Sequence, residues 1–197
     1  IENDLIKLQT LYDRGARYLT LTHNVAPSWA TSAADETNNT NLTPKGLTDF
    51  GIKVIKKMNK IGMMIDVSHS GDQTFWDVIK ISNKPIIASH SSVYSLVNNR
   101  RNLKDDQILE IKKVGGLIGL NPYPFFIDPT FKVREEKIRN THRKELSQIG
   151  EKQNTTAGKW IAKQHFLQKK LSSVCPDMDI FIDHIAVSYT HLRAHET

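Results

Sequence analysis

Two stretches decide the fold: Met63-Met64-Ile65-Asp66-Val67-Ser68-His69 and Pro85-Ile86-Ile87-Ala88-Ser89-His90. Each is a short apolar run that stops on a histidine. Residues 72–82 between them read as one helix, with Phe75, Trp76 and Ile79 on its inner face and Asp72 as its N-cap. Strand, helix and strand within about 30 residues make a βαβ unit, whose two strands run parallel. Both histidines then leave the sheet at its C-terminal edge, where parallel α/β folds bind metals and substrates. A third run, Tyr18-Leu19-Thr20-Leu21-Thr22-His23, ends the same way. Packing alone does not explain three strands with a histidine at one end. Imidazole is also the commonest neutral metal ligand near pH 7.

The same alternation extends outward. Residues 4–14 carry Leu5, Leu8, Leu11 and Tyr12 on one helical stripe, closed by Gly15. Residues 24–43 are polar and read as a long loop beyond the first strand, with residues 33–41 as a surface insertion. Thr43-Pro44 opens a helix over 44–61 that buries Phe50, Val54, Ile55, Met58 and Ile61 and stops at Gly62. After the loop that contains Arg100-Arg101-Asn102, a helix over 105–114 precedes a fourth strand, residues 117–121. Four helix-then-strand units in a row give an α/β class. The rhythm is that of half a (β/α)8 barrel or of an open doubly wound sheet. No phosphate-binding glycine motif follows any strand, which weakens the nucleotide-binding version. Residues 132–173 are strongly charged and read as a helical excursion, and another helix begins near residue 177.

The bulk composition narrows the function classes. The chain has 197 residues, 39% of them hydrophobic, with a net charge of +6. Mean hydropathy is −0.43, the profile of a soluble globular domain. The positive charge invites an anionic partner. Yet Lys53, Lys56, Lys57 and Lys60 fall at helix-face spacing, and no basic patch is interleaved with aromatics, so nucleic acid is not expected. Cys175 is the only cysteine, which excludes an internal disulfide and a CxxC metal site. No apolar run reaches the roughly 18 residues of a transmembrane helix. Nothing in the sequence fixes a compartment.

These residues resemble the membrane (renal) dipeptidase family and its bacterial relatives. The resemblance is carried by Gly15-Ala16-Arg17-Tyr18-Leu19-Thr20-Leu21-Thr22-His23-Asn24 and Pro27-Ser28-Trp29-Ala30, by Met58 through His69, by Pro85 through Ser92, by Arg100-Arg101-Asn102 and by Gly119-Leu120-Asn121-Pro122-Tyr123. It implies a (β/α)8, TIM-barrel-like metallohydrolase with about half of the barrel in residues 1–186. It also implies two zinc ions and a dipeptide substrate, and leaves a homodimer open. His69 and His90 match the two histidines that hold one zinc. His23 matches the histidine that contacts substrate and stabilises the oxyanion, and Arg101 the arginine that grips the substrate's C-terminal carboxylate.

The departures are equally specific. The family's N-terminal His-x-Asp, its bridging Glu and its late-strand Asp have no counterpart, so the sequence reads as truncated at both ends and inactive by itself. Residues 187–197 match nothing in the family and read as a non-native tail. Within it, His191 and His195 have zinc-pair spacing but no third ligand. Asp66 reads as a satisfied buried carboxylate rather than a ligand, and Trp29 and Tyr123 as loop anchors. Another barrel metallohydrolase, or a non-catalytic binding module on the same scaffold, are the competing readings. A carboxylate clamp at Arg101 favours the dipeptidase.

Overall fold

The computed structural model describes residues 1–39 and 41–193. Helix α1 (Leu5–Asp13) leads into β1 (Tyr18–Thr20). Helices α2 (Ala33–Asn38) and α3 (Asp49–Ile61) precede β2 (Met64–Asp66). Helix α4 (Asp72–Ile81) then leads to β3 (Ile86–Ala88), and α5 (Asp105–Lys113) to β4 (Leu117–Ile118). The four strands form one sheet in sequence order, and all three pairings are parallel. A helix between successive strands carries the chain back to the starting edge, as parallel pairing requires.

The core lies between this sheet and its helices. Val54, Ile55 and Met58 of α3, Phe75 and Val78 of α4, and Ile108 and Ile111 of α5 pack against Ile65, Ile86 and Ala88. Helix α3 shows the local logic. Its apolar residues recur every three to four positions, which puts them on one face. The Thr48 hydroxyl accepts from the Gly51 N–H at the start, and Gly62 closes the end in the left-handed region, φ 77°.

Three local expectations are corrected. Helix α3 begins at Asp49 and not at Pro44, because the intervening backbone is bonded elsewhere. The Gly46 N–H donates to Thr31 Oγ1 at 2.9 Å and the Leu47 N–H to Asp77 Oδ2 at 2.9 Å. Gly46 has φ 91°, and a Cβ there would meet Asp77 Oδ2 at 2.2 Å. Gly71 is the N-cap of α4, and Asp72 is its first residue, where a carboxylate favours the helix dipole. Residues 33–39, expected in a surface insertion, are no loose segment. Trp29, Ala30, Ala33 and Ala34 are buried, and α2 is fixed by a capping box between Ser32 and Asp35.

Beyond β4 the chain is helical: α6 (Pro124–Ile127), α7 (Phe131–Thr141), α8 (Arg143–Glu151), α9 (Thr156–Leu171), a 3-10 turn and α10 (Met178–Arg193). Helix α10 returns to pack on α5 and α6. Its anchor is His184, only 1% exposed. There Nδ1 accepts the Val93 N–H at 3.1 Å, and Nε2 lies 3.0 Å from the Ile127 carbonyl. A carbonyl only accepts, so Nε2 carries the proton and the ring is neutral.

Helix α10 continues through 187–193, where Val187 packs on the core and Ser188 is buried. His191 Nε2 lies 3.7 Å from Asp105 Oδ2. His195 lies outside the described residues. Among those residues, no helix is long and apolar enough to cross a membrane.

Candidate active site

The strand register brings the histidines together. Thr20 pairs with Asp66, and Asp66 with Ile87. Each histidine follows its own one of these three residues by the same number of positions, so the three leave the sheet side by side. His23 stacks on His69 with ring centroids 4.3 Å apart, and His69 lies 5.1 Å from His90. All three line one cavity of about 400 Å³.

His69 is the strained member. Its φ is 68°, in the left-handed region that side chains rarely adopt, at a cost of about 1–3 kcal/mol. The surrounding backbone holds it there. The His69 carbonyl accepts the Ala33 N–H of α2 at 2.8 Å, and the Ser70 N–H donates to the Val67 carbonyl at 3.0 Å. Burial pushes the His69 imidazole down to about 3, and the Arg101 guanidinium and the other two histidines push the same way. Its Nδ1 is buried without a partner among the described residues. An orphaned buried nitrogen is costly and calls for a ligand. Burial, with Arg101 next, also lowers the His90 pKa. Both rings are therefore held neutral, the form that ligates metal.

Beneath them lies Asp66, fully buried. Its Oδ1 accepts the Ser68 and Ser89 N–H groups at 3.0 Å each. Its Oδ2 accepts the Thr20 and Ser89 hydroxyls at 2.6 Å each. Burial raises the pKa of this carboxyl, but the donors from Ser89, Thr20 and Ser68 outweigh it and leave the value below the ordinary one.

Arg101 sits on the other side of His69, 7% exposed. One Nη2 donates to the His90 carbonyl at 3.2 Å, and the guanidinium carbon lies 5.5 Å from the Phe126 ring centre. Its Nε is buried without a partner among the described residues. Burial lowers its pKa to about 10. Arg100 is exposed and donates to Asn38 Oδ1 at 3.3 Å. Arg101, His69, Tyr94, Tyr123 and Phe126 line a second, larger cavity of about 860 Å³. Two neutral imidazoles and a buried guanidinium that makes no ion pair among the described residues thus meet at adjoining cavities that share His69. The arrangement suits an anionic ligand placed against a metal. His69 and His90 fit as part of a ligand set. Among the described residues, no group of three or more His, Cys, Asp or Glu converges to complete it.

The sequence reading missed Glu36 of α2, whose carboxylate is nearly buried. It accepts from Thr31 Oγ1 at 2.6 Å and from the Gln73 N–H at 3.2 Å. The available signal was Ser32-Ala33-Ala34-Asp35, a capping pattern that marks a helix start.

Comparison with known proteins identifies the family. A sequence model of the membrane dipeptidases (peptidase family M19) matches residues 1–191. The chain is 39% identical over 127 residues to an uncharacterized dipeptidase of Schizosaccharomyces pombe, which covers 64% of this chain and 30% of that protein. It is similar to a metallo peptidase from Rhodobacter sphaeroides liganded with a phosphinate mimic of the dipeptide L-Ala-D-Ala. That likeness has a TM-score of 0.57 at 27% identity and covers 64% of this chain and 36% of that one. The probable dipeptidase PvdM from Pseudomonas aeruginosa shares the fold, with a TM-score of 0.74 at 22% identity, over 96% of this chain and 51% of that one. The chain therefore spans 30% to 51% of the length of these relatives. A parallel sheet that gathers its histidines at one edge, and a family match that runs almost from end to end, make this chain a member of the membrane dipeptidase family of peptidases.

Proposed function

We propose that the protein to which this chain belongs is a zinc-dependent dipeptidase on a (β/α)8 barrel, of which these residues supply about half. His69 and His90 hold one of two metal ions, His23 acts on the reacting carbonyl, and Arg101 binds the substrate's free carboxylate. The observation that carries the reading is the juxtaposition of two neutral imidazoles, 5.1 Å apart by ring centroids, with a buried guanidinium whose Nε has no partner among the described residues. The likeness to a metallo peptidase that holds a dipeptide mimic supports it.

When bound, zinc supplies Lewis acidity toward the scissile carbonyl and the attacking water. This chain's own groups do the rest. His23, stacked on His69, places an imidazole N–H beside the developing oxyanion. Arg101 pairs with a carboxylate through its planar fork, which selects a substrate whose second residue ends the chain. Phe126, across the guanidinium, restricts its swing.

The test compares a dipeptide with its C-terminally amidated form. Arg101→Ala raises KM for the free dipeptide by 10-fold or more, since a charge-assisted pair is worth about 1.5–3 kcal/mol. The amidated substrate responds little. Equal effects on both substrates remove the carboxylate role of Arg101.

A further inference from the structure

His90 is bonded to the sheet in a way that fixes which of its nitrogens bears a proton. Ser89 Oγ lies 2.6 Å from Asp66 Oδ2 and 2.7 Å from His90 Nδ1. It also lies 3.4 Å from Ser68 Oγ, which itself accepts the His90 backbone N–H at 3.0 Å. A hydroxyl has a single hydrogen. Asp66 takes two backbone N–H groups on Oδ1 and two hydroxyls on Oδ2, so it only accepts. The Ser89 hydrogen therefore goes to Asp66, along the shortest contact open to it. What remains on Ser89 Oγ is lone pairs, and the 2.7 Å contact with His90 exists only if Nδ1 carries the hydrogen.

We infer that Asp66 and Ser89 are positioning residues that lock His90 in the Nδ1–H tautomer and so present Nε2 as its free lone pair. The chain runs from carboxylate to hydroxyl to imidazole, and each member stands on a different footing. Asp66 is fully buried in β2, Ser89 follows β3, and His90 lines the cavity shared with His23 and His69. Thr20, from β1, shares Oδ2 with Ser89, so three adjacent strands set one proton. Ligating histidines are commonly oriented through their other ring nitrogen by a carboxylate or carbonyl. Here a serine is interposed. The serine also ties the side chain at the end of β3 to that of β2, so the ring orientation follows the strand register.

The role of this proton in metal binding rests on the proposed ligand role of His90, whereas the tautomer does not. The test is therefore made first without metal. Long-range 1H–15N spectra of the 15N-labelled protein at pH 8 distinguish the two neutral tautomers, and His90→Gln identifies the signal. The wild-type protein shows Nδ1 protonated and Nε2 bare. Ser89→Ala shifts His90 toward the Nε2–H form, and Ser89→Thr, which keeps the hydroxyl, restores the wild-type pattern. A wild-type spectrum with Nε2 protonated overturns the inference, and for that reading His90→Gln serves only to assign the signal. An unchanged tautomer in folded Ser89→Ala also overturns it. Zinc titration is the second arm. Ser89→Ala weakens zinc binding about 10- to 100-fold, and Ser89→Thr recovers it. If the tautomer flips while zinc affinity stays put, the positioning role stands and the ligand role of His90 falls.

Discussion

Asp66 shows how much one carboxylate can organise. Four donors converge on it, one from β1 and three from the residues that follow β2 and β3, and two of the four are backbone groups. Asp66→Asn keeps the shape but removes the charge and turns one acceptor into a donor. Hydrogen bonds to a charged group contribute about 1.5–3 kcal/mol, so a loss of about 2–3 kcal/mol is expected in urea denaturation. The sign of the pH effect follows from the lowered pKa. The unfolded chain takes up its proton first, near the ordinary value of 3.8, so stability is full above that pH and declines as acid is added through the lower folded value. The Asn variant lacks that decline. Asp66 was legible in the sequence because a charged residue inside Met64-Ile65-Asp66-Val67 must be satisfied when buried. Its partners were not. Thr20 is 46 positions away and Ser89 is 23, and no local pattern marks a hydroxyl for a distant carboxylate.

At the scale of elements, the strands and the helices of the first half follow from periodicity, and the errors lie where tertiary bonds displace local signals. Pro44 is a good helix opener, but Gly46 and Leu47 are bonded to Thr31 and Asp77, so the helix waits for Thr48. Helix α2 is short and polar, and its burial comes from alanines that carry little periodic signal. Helix α10 depends on His184. His184→Ala removes two buried hydrogen bonds and strands the Val93 N–H and Ile127 carbonyl, so about 2–4 kcal/mol of stability is lost in thermal or urea unfolding. Burial lowers the His184 pKa, against the Ile127 bond, which raises it. The unfolded chain therefore binds a proton first as pH falls below 6.5, and stability drops from that point toward the lower folded value. The slope below pH 6.5 diminishes in the His184→Ala protein.

For the whole molecule, the sheet's outer strands are the exposed feature. Tyr18 of β1 is 52% exposed and Leu117 of β4 is 68% exposed, and each strand has one unpaired side among the described residues. Open edges recruit further strands. The 197-residue chain by itself is expected to self-associate as concentration rises, which light scattering would read, with salt promoting it by screening the net charge of +6. With two imidazoles at the proposed centre, it should also retain less than one equivalent of zinc through dialysis, since catalytic zinc sites use about three protein ligands. Two tightly held ions would show that other residues complete the site.

The strand order has a temporal meaning as well. Because β1, β2, β3 and β4 are neighbours in sequence as well as in space, the sheet can grow by one strand at a time as the chain leaves the ribosome, and no strand has to wait for a distant partner. The clasp between His184 and Val93 is the opposite case. It closes a span of 91 residues and has to come after the units it joins. A weakened clasp would then hardly slow folding but would hasten unfolding, so His184 sets how long the finished molecule lasts and has little say in how fast it is made.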